Sequence, residues 1–188
     1  MIRAFLLLMA MLLASCTQKQ PAPKDAPTTA PASEPAQIGP GPLPVVAEGV
    51  LADRILIDKS DRTLTLYNGG TEIARYTGIR FGDAPAGHKR FEGDEKTPEG
   101  QYTIDGRNPG SSYHLSLRIS YPNVTDRAFA NSQGKSPGGD IFIHGQPNGY
   151  NGPVIARDWT DGCIAVSNAE IEQIWKLVQD GTTITIQP

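Results

Sequence analysis

The sequence predicts a mostly β domain, built as a sandwich or meander of short strands with one helix after Cys163. Three observations lead to this fold class. The chain of 188 residues contains 20 glycines and 16 prolines, which favour many turns between short strands. Short runs of strand type, several of them alternating apolar and polar residues, recur between residues 54 and 143. Helical periodicity, by contrast, is clear only near the carboxyl end.

The composition indicates a single folded domain and argues against a nucleic-acid-binding protein. A hydrophobic content of 38% is sufficient for one core, and the chain is too short for two domains once its amino-terminal segment is set aside. The formal charge is -3, and no lysine- or arginine-rich block is present. We therefore expect no nucleic-acid partner, and we expect residues 49–188 to form the domain.

Residues 1–15 have the layout of a lipoprotein signal peptide. One positive charge, at Arg3, precedes the apolar run 4–13, which is too short to span a bilayer because a spanning helix needs about 20 residues. The Leu-Ala-Ser-Cys sequence at 13–16 resembles a bacterial lipobox, whose cysteine is lipidated and becomes the new amino terminus. An ordinary signal peptide with an incidental Cys16 is the alternative.

Residues 16–48 would then form the lipidated cysteine and a Pro/Ala-rich linker. Half of the prolines lie in this segment, which is typical of a semi-extended spacer rather than a packed unit. About thirty residues in polyproline II form, at roughly 3.1 Å each, reach up to ~90 Å. Thr17 follows Cys16 where retained inner-membrane lipoproteins have aspartate, which by resemblance to Gram-negative lipoproteins favours the outer membrane. We expect a periplasmic domain on a lipid anchor; a passive spacer has the same sequence.

The domain begins with three short strands in a meander. Two segments of turn-forming residues, 59–62 and 68–71, separate the runs of strand type. The three runs are 54–58, 63–67 and 72–77. A glycine-rich loop that carries His88 follows, and a turn then leads into a strand at 101–104.

Residues 112–139 contain one further strand and a candidate flap. Residues 112–120 alternate, with Tyr113 on the apolar face and His114 on the other, so we expect His114 to be solvated or to line a cleft. The segment 121–139 is polar and has no clear period. Because connections longer than ~12–15 residues often bind ligands or act as lids, we interpret it as a substrate-facing flap. A disordered surface loop is equally compatible with the sequence.

Two places carry residues capable of covalent chemistry. His144 ends an apolar run of strand type, and Cys163 lies 19 residues later in a turn flanked by glycine. A free thiol has a pKa near ~8.5, so nucleophilic work requires a base or a positive neighbour, and histidine is the usual base. Gly162 permits a tight turn that can aim backbone N–H groups at an oxyanion. A Cys-His acyl-transfer enzyme is the working hypothesis.

Other interpretations of these two residues remain. A lone cysteine is more often a small buried hydrophobe than a nucleophile. A zinc site would use both residue types, but neither a Cys-x2-Cys nor a His-x3-His spacing is present. If Cys16 is acylated, however, Cys163 has no disulfide partner, and an unpaired thiol in an exported protein points to a reactive one.

A helix is predicted directly after the cysteine turn. Ser167 stands three residues before Glu170, which is a capping-box pattern, and Gly181 is a natural stop. The apolar face of this helix consists of Ile171, Ile174, Trp175 and Val178. Residues 183–187 form a further strand. Cys163 would lie near the positive end of the helix, which favours the thiolate.

Together, residues 50 to 188 resemble the L,D-transpeptidase catalytic domain of YkuD type. The resemblance covers the whole predicted domain and rests on several motifs in one order and spacing. These motifs are the opening meander with Asp58, Leu64 and Tyr67, the Lys-Thr-Pro-Glu-Gly-Gln-Tyr segment at 96–102, His144-Gly145, Gly162-Cys163-Ile164 and Asn168. The resemblance implies a YkuD-type fold with one helix after the cysteine.

The resemblance also implies a mechanism. Cys163 would attack the peptide carbonyl between meso-diaminopimelate and the terminal D-alanine of a peptidoglycan tetrapeptide stem, forming a thioester. His144 would take the thiol proton and later activate an acceptor amine, while the carbonyl of Gly145 would orient the imidazole. Oxyanion and substrate binding are assigned to Gly162, Asp161 and Tyr121. No metal or cofactor is implied.

The sequence leaves the acyl acceptor undecided between another stem's amine, a lysine of an envelope lipoprotein and water. Many family members have histidine before the Gly-Cys pair and arginine two residues after the cysteine, where this chain has Asp161 and Ala165. Asp161 beside the thiol should raise its pKa. Residues 113–127 look more like a small subgroup that includes a hydrolase releasing lipoproteins from peptidoglycan. A transpeptidase is the first hypothesis, a water-dependent amidase or carboxypeptidase the second, and a non-catalytic wall-binding lipoprotein the third.

Overall fold

The computed structural model describes residues 41–188 and confirms the mostly β fold. In this part of the chain, eight strands form one sheet, accompanied by two helices. The elements are β1 (Ala52–Asp58), β2 (Thr63–Asn68), β3 (Thr71–Thr77), β4 (Gly100–Asn108), β5 (Ser116–Ile119), α1 (Val124–Ser132), β6 (Phe142–His144), β7 (Ile164–Ala165), α2 (Asn168–Leu177) and β8 (Val178–Gln187). The predicted signal peptide, Cys16 and the linker up to residue 40 lie outside the described residues.

The sheet places β8 in its interior rather than at an edge. The strand order is β3-β2-β1-β8-β4-β5-β6-β7. β1, β2 and β3 form the antiparallel meander that the sequence predicts, and β8 pairs parallel with β1 and antiparallel with β4. β7, at the far edge, pairs parallel with β6. The sheet therefore brings together strands from distant parts of the chain.

One apolar core lies between the sheet and α2. Ile55 and Ile57 are both fully buried, two residues apart along β1, as the two-residue period of a strand requires. Ile171 and Ile174 of α2 are also fully buried and lie on one helical face. Burial of an aliphatic side chain of this size stabilises the fold by about 1.5–3 kcal/mol. These side chains fix α2 against the strands that carry the candidate site.

The predicted start of α2 is present, but the helix ends earlier than the sequence pattern indicates. The Glu170 N–H donates to the Ser167 hydroxyl, and the Ser167 N–H donates to the Glu170 carboxylate. Val178, predicted on the apolar face of the helix, adopts extended dihedral angles and begins β8. Gly181 lies within β8 at a φ of +90°. The interpretation of Gly181 as a helix stop is wrong, because pairing with β1 ends the helix first.

A second helix, α1, lies inside the segment that the sequence predicts to be an irregular flap. Asn123 caps it: its side chain accepts from the Asp126 N–H at 3.0 Å, and the Asp126 carboxylate accepts from the Asn123 N–H at 3.0 Å. Asp126 also accepts from the Tyr102 hydroxyl at 3.0 Å. The predicted helix after Cys163 is therefore accompanied by a second helix that the sequence analysis does not predict. The polar sequence of α1 hides its helical period, but its capping residues, Asn123 and Asp126, can be recognised in the sequence.

The strand predicted at 112–120 is shorter in the structure, where β5 covers only Ser116–Ile119. Tyr113 and His114 belong to the loop before it, and His114 has a φ of +67°. The Gly145 N–H donates to the Tyr113 carbonyl at 3.0 Å. This contact turns Tyr113 away from the strand face on which the sequence pattern places it, and brings it to the end of β6.

Part of the predicted linker packs against the domain. The Gln173 side chain donates to the Pro44 carbonyl at 2.7 Å, and Val46 packs against the core. Residues 43–51 thus lie beside α2. In residues 41–188, no helix is both long enough and apolar enough to cross a membrane.

Candidate active site

The candidate base ends β6, and the candidate nucleophile lies one residue before β7, the strand paired with β6. The two strands run parallel, with Ile143 opposite Ile164 and His144 opposite Ala165. Cys163, one residue before β7, therefore lies beside Phe142. Since residues two apart on a strand share a face, Cys163 and His144 project from the same face of the sheet.

Both side chains line one cavity of about 380 Å³. The cavity is within the size range of small-ligand sites. Its lining consists of Tyr113, Gly139, Asp140, Ile141, Phe142, His144, Trp159, Thr160, Asp161 and Cys163. The cavity thus combines one thiol, one imidazole, two carboxylates and three aromatic rings, without a lysine or arginine side chain in its lining.

The Cys163 thiol is partly exposed and protonated at neutral pH. Burial raises its pKa to about 11; a hydrogen bond from the Phe142 N–H lowers it, while the carboxylates of Asp161 and Asp140 raise it further. The S–H group points at the Asp140 carbonyl, with Sγ 3.5 Å from the oxygen. The expectation that the α2 amino terminus makes Cys163 a thiolate is therefore not met, because burial and the two carboxylates outweigh it.

The His144 imidazole is buried and neutral. Its Nδ1 lies 2.7 Å from the Gly145 carbonyl oxygen, an acceptor, so Nδ1 carries the proton and Nε2 is the basic nitrogen. Burial lowers the pKa of His144, and the hydrogen bond to Gly145 offsets this only in part. Gly145 thus contacts the imidazole as the sequence analysis expects, and His144 is in the protonation state that a general base requires.

Asn168 holds Gly145 in place. Its side-chain oxygen accepts from the Gln146 N–H at 2.8 Å. A Cβ atom at Gly145 would lie 2.5 Å from that same oxygen, so only glycine fits here without movement. Asn168 is the first residue of α2. The start of α2 therefore positions the backbone that orients His144, which gives a structural reason for the Asn168 motif.

Two aromatic residues of the site were missed by the sequence analysis. The Tyr113 and His144 ring centroids are 4.6 Å apart, and those of Trp159 and His144 are 5.5 Å apart. Trp159 lies four residues before Cys163 in the sequence, and this short separation could have indicated that it belongs to the site. Tyr113 was assigned to the apolar face of a strand, so its role depended on a loop conformation that the alternation does not reveal.

The three residues assigned to oxyanion and substrate binding lie in different places. Gly162 has a φ of +126°, and a Cβ there would lie 2.5 Å from the Lys96 carbonyl oxygen, so the turn requires glycine. Its N–H donates to the Thr160 hydroxyl at 3.2 Å. Asp161 is exposed and lines the cavity. Tyr121 does not line it.

The Tyr121 ring is buried in the core instead. It packs edge-on to Tyr102, with ring centroids 6.0 Å apart, and its hydroxyl donates to the Pro137 carbonyl at 2.9 Å. The structure therefore does not bring Tyr121 together with Cys163 and His144. Tyr121 supports the segment that leads to Asp140 rather than contacting the cavity.

The other two histidines have partners away from the cavity. His88 Nδ1 accepts from the Glu99 N–H at 2.8 Å, and its Nε2 lies 3.1 Å from Asp126. His114 Nε2 lies 2.7 Å from the Glu172 carboxylate. Among residues 41–188, no group of three or more His, Cys, Asp or Glu side chains is arranged to hold a metal ion.

Comparison with known proteins shows the family. The model of the YkuD family, described as the L,D-transpeptidase catalytic domain, matches residues 52–186. Over 145 residues the chain is 31% identical to YafK of Escherichia coli (strain K12), which is named provisionally as an L,D-transpeptidase. That alignment covers 71% of this chain and 50% of YafK.

Solved structures agree with the sequence match. The helical cell shape determining protein Pgp2 from Campylobacter jejuni is 29% identical, with a TM-score of 0.58, over 80% of this chain and 51% of Pgp2. Bd1075 of Bdellovibrio bacteriovorus is 28% identical, with a TM-score of 0.52, over 77% of this chain and 51% of Bd1075. The chain thus spans about half the length of these relatives. It belongs to the family of L,D-transpeptidase catalytic domains.

Proposed function

We propose that the protein is a peptidoglycan-modifying cysteine acyltransferase, an L,D-transpeptidase that forms a thioester with the tetrapeptide stem at meso-diaminopimelate and transfers it to an amine. One observation carries the proposal. A partly exposed Cys163 and a neutral His144 project from the same face of two paired strands into one cavity. Gly145 holds the imidazole with Nε2 available as a proton acceptor.

In the first half-reaction, Cys163 attacks the carbonyl between meso-diaminopimelate and D-alanine. Because the thiol has a raised pKa, its proton moves to His144 Nε2 during the attack rather than before it. The tetrahedral intermediate collapses to a thioester, and His144 returns the proton to the departing amine of D-alanine. The enzyme is left acylated at sulfur, with a neutral imidazole.

In the second half-reaction, an acceptor amine attacks the thioester carbon and gives its proton to His144. The new amide forms, the C–S bond breaks, and the proton passes to sulfur to restore the thiol. The exposed carboxylates of Asp140 and Asp161 make the mouth of the cavity negative. This charge attracts acceptors that bear ammonium groups, which supports an amine acceptor.

The acceptor can be determined with the chain from residue 16 onward carrying Cys16→Ser, which we call the mature variant. Incubation with disaccharide-tetrapeptides is expected to yield dimers lacking one D-alanine, identified by mass. Cys163→Ala is the matched control and should form none. Shortened monomers that depend on Cys163 would instead establish a hydrolase that uses water. If the tetrapeptides are unchanged in both samples, the result would support the third hypothesis, a non-catalytic wall-binding protein.

We also propose that the protein acts in the periplasm and takes part in cell-wall remodelling and cell shape. The proposal is supported by the amino-terminal sequence, and by the likeness to Pgp2, which is described as a cell-shape-determining protein. The partners would be peptidoglycan stems and an envelope lipoprotein that supplies a lysine. Deletion of the coding gene, with complementation by wild type and by Cys163→Ala, tests the role: only wild type should restore the muropeptide profile.

A further inference from the structure

Two aromatic side chains that the steps above do not use surround the proposed base. The Tyr113 ring lies 4.6 Å from the His144 ring at an interplanar angle of 33°, and the Trp159 ring lies 5.5 Å away at 70°. Tyr113 and Trp159 are themselves 5.7 Å apart. The three rings therefore form one contiguous cluster at the wall of the cavity, and we call it the aromatic cluster.

Trp159 is held in this cluster by its backbone neighbours. The Trp159 N–H donates to the Phe81 carbonyl at 3.1 Å. The preceding Asp158 accepts two hydrogen bonds from Arg62, at 2.7 and 2.8 Å, and one from the Phe81 N–H at 3.0 Å. A two-point guanidinium–carboxylate pair fixes orientation as well as distance. The Arg62–Asp158 pair therefore acts as a clamp on the segment that carries Trp159.

Tyr113 is fixed through the same residue that orients the imidazole. Its carbonyl accepts from the Gly145 N–H at 3.0 Å, while the Gly145 carbonyl lies 2.7 Å from His144 Nδ1. The Tyr113 N–H donates to the Ser111 hydroxyl at 3.0 Å. The N–H group of Gly145 thus holds the Tyr113 loop and its carbonyl group holds the imidazole, so this one residue connects the two.

We propose that Tyr113 and Trp159 are positioning residues, which hold the His144 imidazole in one orientation and exclude water from it, and that the Arg62–Asp158 clamp fixes Trp159 for this purpose. The inference deepens the proposed acyl transfer and rests on it, since the orientation of His144 matters only if it serves Cys163. A single imidazole–carbonyl hydrogen bond leaves the ring free to tilt about that bond. The aromatic cluster removes this freedom.

The cluster also favours the neutral imidazole. A cation over an aromatic face is attracted to it, but a charged group removed from water loses more in hydration than this attraction returns. His144 is only 3% exposed, so the loss of hydration outweighs the attraction. Opening the cluster should therefore restore water to the imidazole and stabilise its protonated form.

The test uses Tyr113→Ala and Trp159→Leu in the mature variant. The pKa of His144 is measured from its imidazole Cε1–H resonance, which is assigned by its disappearance in His144→Gln. We expect the pKa to rise toward the ordinary value of 6.5 in both variants. The rate of Cys163 alkylation by iodoacetamide near neutral pH should fall roughly tenfold, because an exposed and tilted base assists less.

Several controls separate positioning from a loss of fold. Tyr113→Phe keeps the ring and should retain the wild-type pKa of His144, and Tyr150→Ala removes a comparably exposed tyrosine outside the cavity. An unshifted resonance of His88, which lies away from the cavity, reports an intact fold. If Trp159→Leu does not fold, Asp158→Asn releases the clamp without removing the ring and should shift the pKa in the same direction.

An unchanged or lowered pKa of His144 in folded Tyr113→Ala and Trp159→Leu would overturn the inference. A lowered value would mean that cation–π attraction dominates in the cluster. Neither readout requires a stem peptide. A failure of the proposed transpeptidase function in the disaccharide-tetrapeptide assay is therefore distinguishable from a failure of this inference.

Discussion

At the scale of single residues, burial keeps both partners of the proposed catalytic pair uncharged. It raises the pKa of Cys163 and lowers the pKa of His144. The proposed reaction would therefore start from a thiol and an imidazole rather than from a preformed thiolate–imidazolium pair.

Asp161→Asn should lower the pKa of Cys163 from about 11, because the substitution removes a negative charge that opposes the thiolate. The measurement is the ultraviolet absorbance of the thiolate as a function of pH in the mature variant, with Cys163→Ala subtracted. Asp180→Asn changes an exposed carboxylate that does not line the cavity and should leave the titration unchanged. An identical thiol pKa in both variants would contradict the electrostatic argument.

His144→Gln should weaken the dependence of stability on pH. The pKa of His144 is lowered below 6.5 in the folded state, so the unfolded chain binds the proton first as the pH falls. This group therefore contributes its full stability above pH 6.5 and loses it as the pH falls toward its lowered pKa. Urea unfolding above and below pH 6.5 measures the difference. His88 and the carboxyl groups of Asp94 and Asp158, whose pKa values are also lowered, should contribute to the remaining dependence.

The nucleophile, the base and the glycine that orients the base could be proposed from sequence because each has a local signal. His144 and Gly145 end an apolar run, and Cys163 follows a glycine. Tyr113 and Trp159 could not be found in this way, since a tyrosine in an alternating run predicts a core position. Their place beside His144 depends on tertiary contacts that local patterns do not encode.

At the scale of elements, α1 shows how a polar helix can be stabilised mainly by its cap. Asn123 and Asp126 exchange hydrogen bonds at its amino terminus, and Asp126 also contacts Tyr102 and His88. The cap therefore joins α1 to β4 and to the loop that carries His88. A helix without a strong apolar period depends on such contacts more than on burial.

Asn123→Ala should reduce the free energy of unfolding by about 1 kcal/mol, because it leaves the Asp126 N–H without its cap acceptor. Urea denaturation of the mature variant measures this change. Val124→Ala alters the first residue of α1, whose side chain is 75% exposed, and should change stability by less than about 0.5 kcal/mol. Equal effects of the two substitutions would show that the cap contributes nothing specific.

The elements differ in how well their sequences predict them. β1, β2 and β3 were predicted because turn-forming residues separate short runs of strand type. α1 is not predicted, since its residues are polar. The strand predicted at 112–120 is too long, because the loop residue Tyr113 continues the alternation of apolar and polar residues. The end of α2 was misplaced because Val178 fits both a helical face and a strand. The pairing of this residue with β1 outweighs its fit to the helical pattern.

At the scale of the whole molecule, the segment before the domain is not all linker. Residues 43–51 lie against α2, and Pro44 is bonded to Gln173. The chain matches about half the length of YafK and Pgp2. The strand order could not be derived from sequence, because the alternation of apolar and polar residues that marks a strand does not show which other strand it pairs with.

We expect the full chain to incorporate palmitate at Cys16 and to fractionate with the outer membrane in a Gram-negative host. The lipobox-like sequence and Thr17 motivate this prediction. Cys16→Ala should abolish labelling and release the protein to the periplasmic fraction, whereas Cys163→Ala should do neither. Labelling that persists in Cys16→Ala would contradict the anchor.

The interior position of β8 has a consequence for biosynthesis. Both of its neighbours, β1 and β4, are made earlier by the ribosome, and neither can complete its hydrogen-bond ladder until β8 has been translated. The nascent polypeptide therefore lacks a finished domain until β8 has been made. Until then the chain would remain compatible with a secretory channel that accepts only unfolded polypeptides.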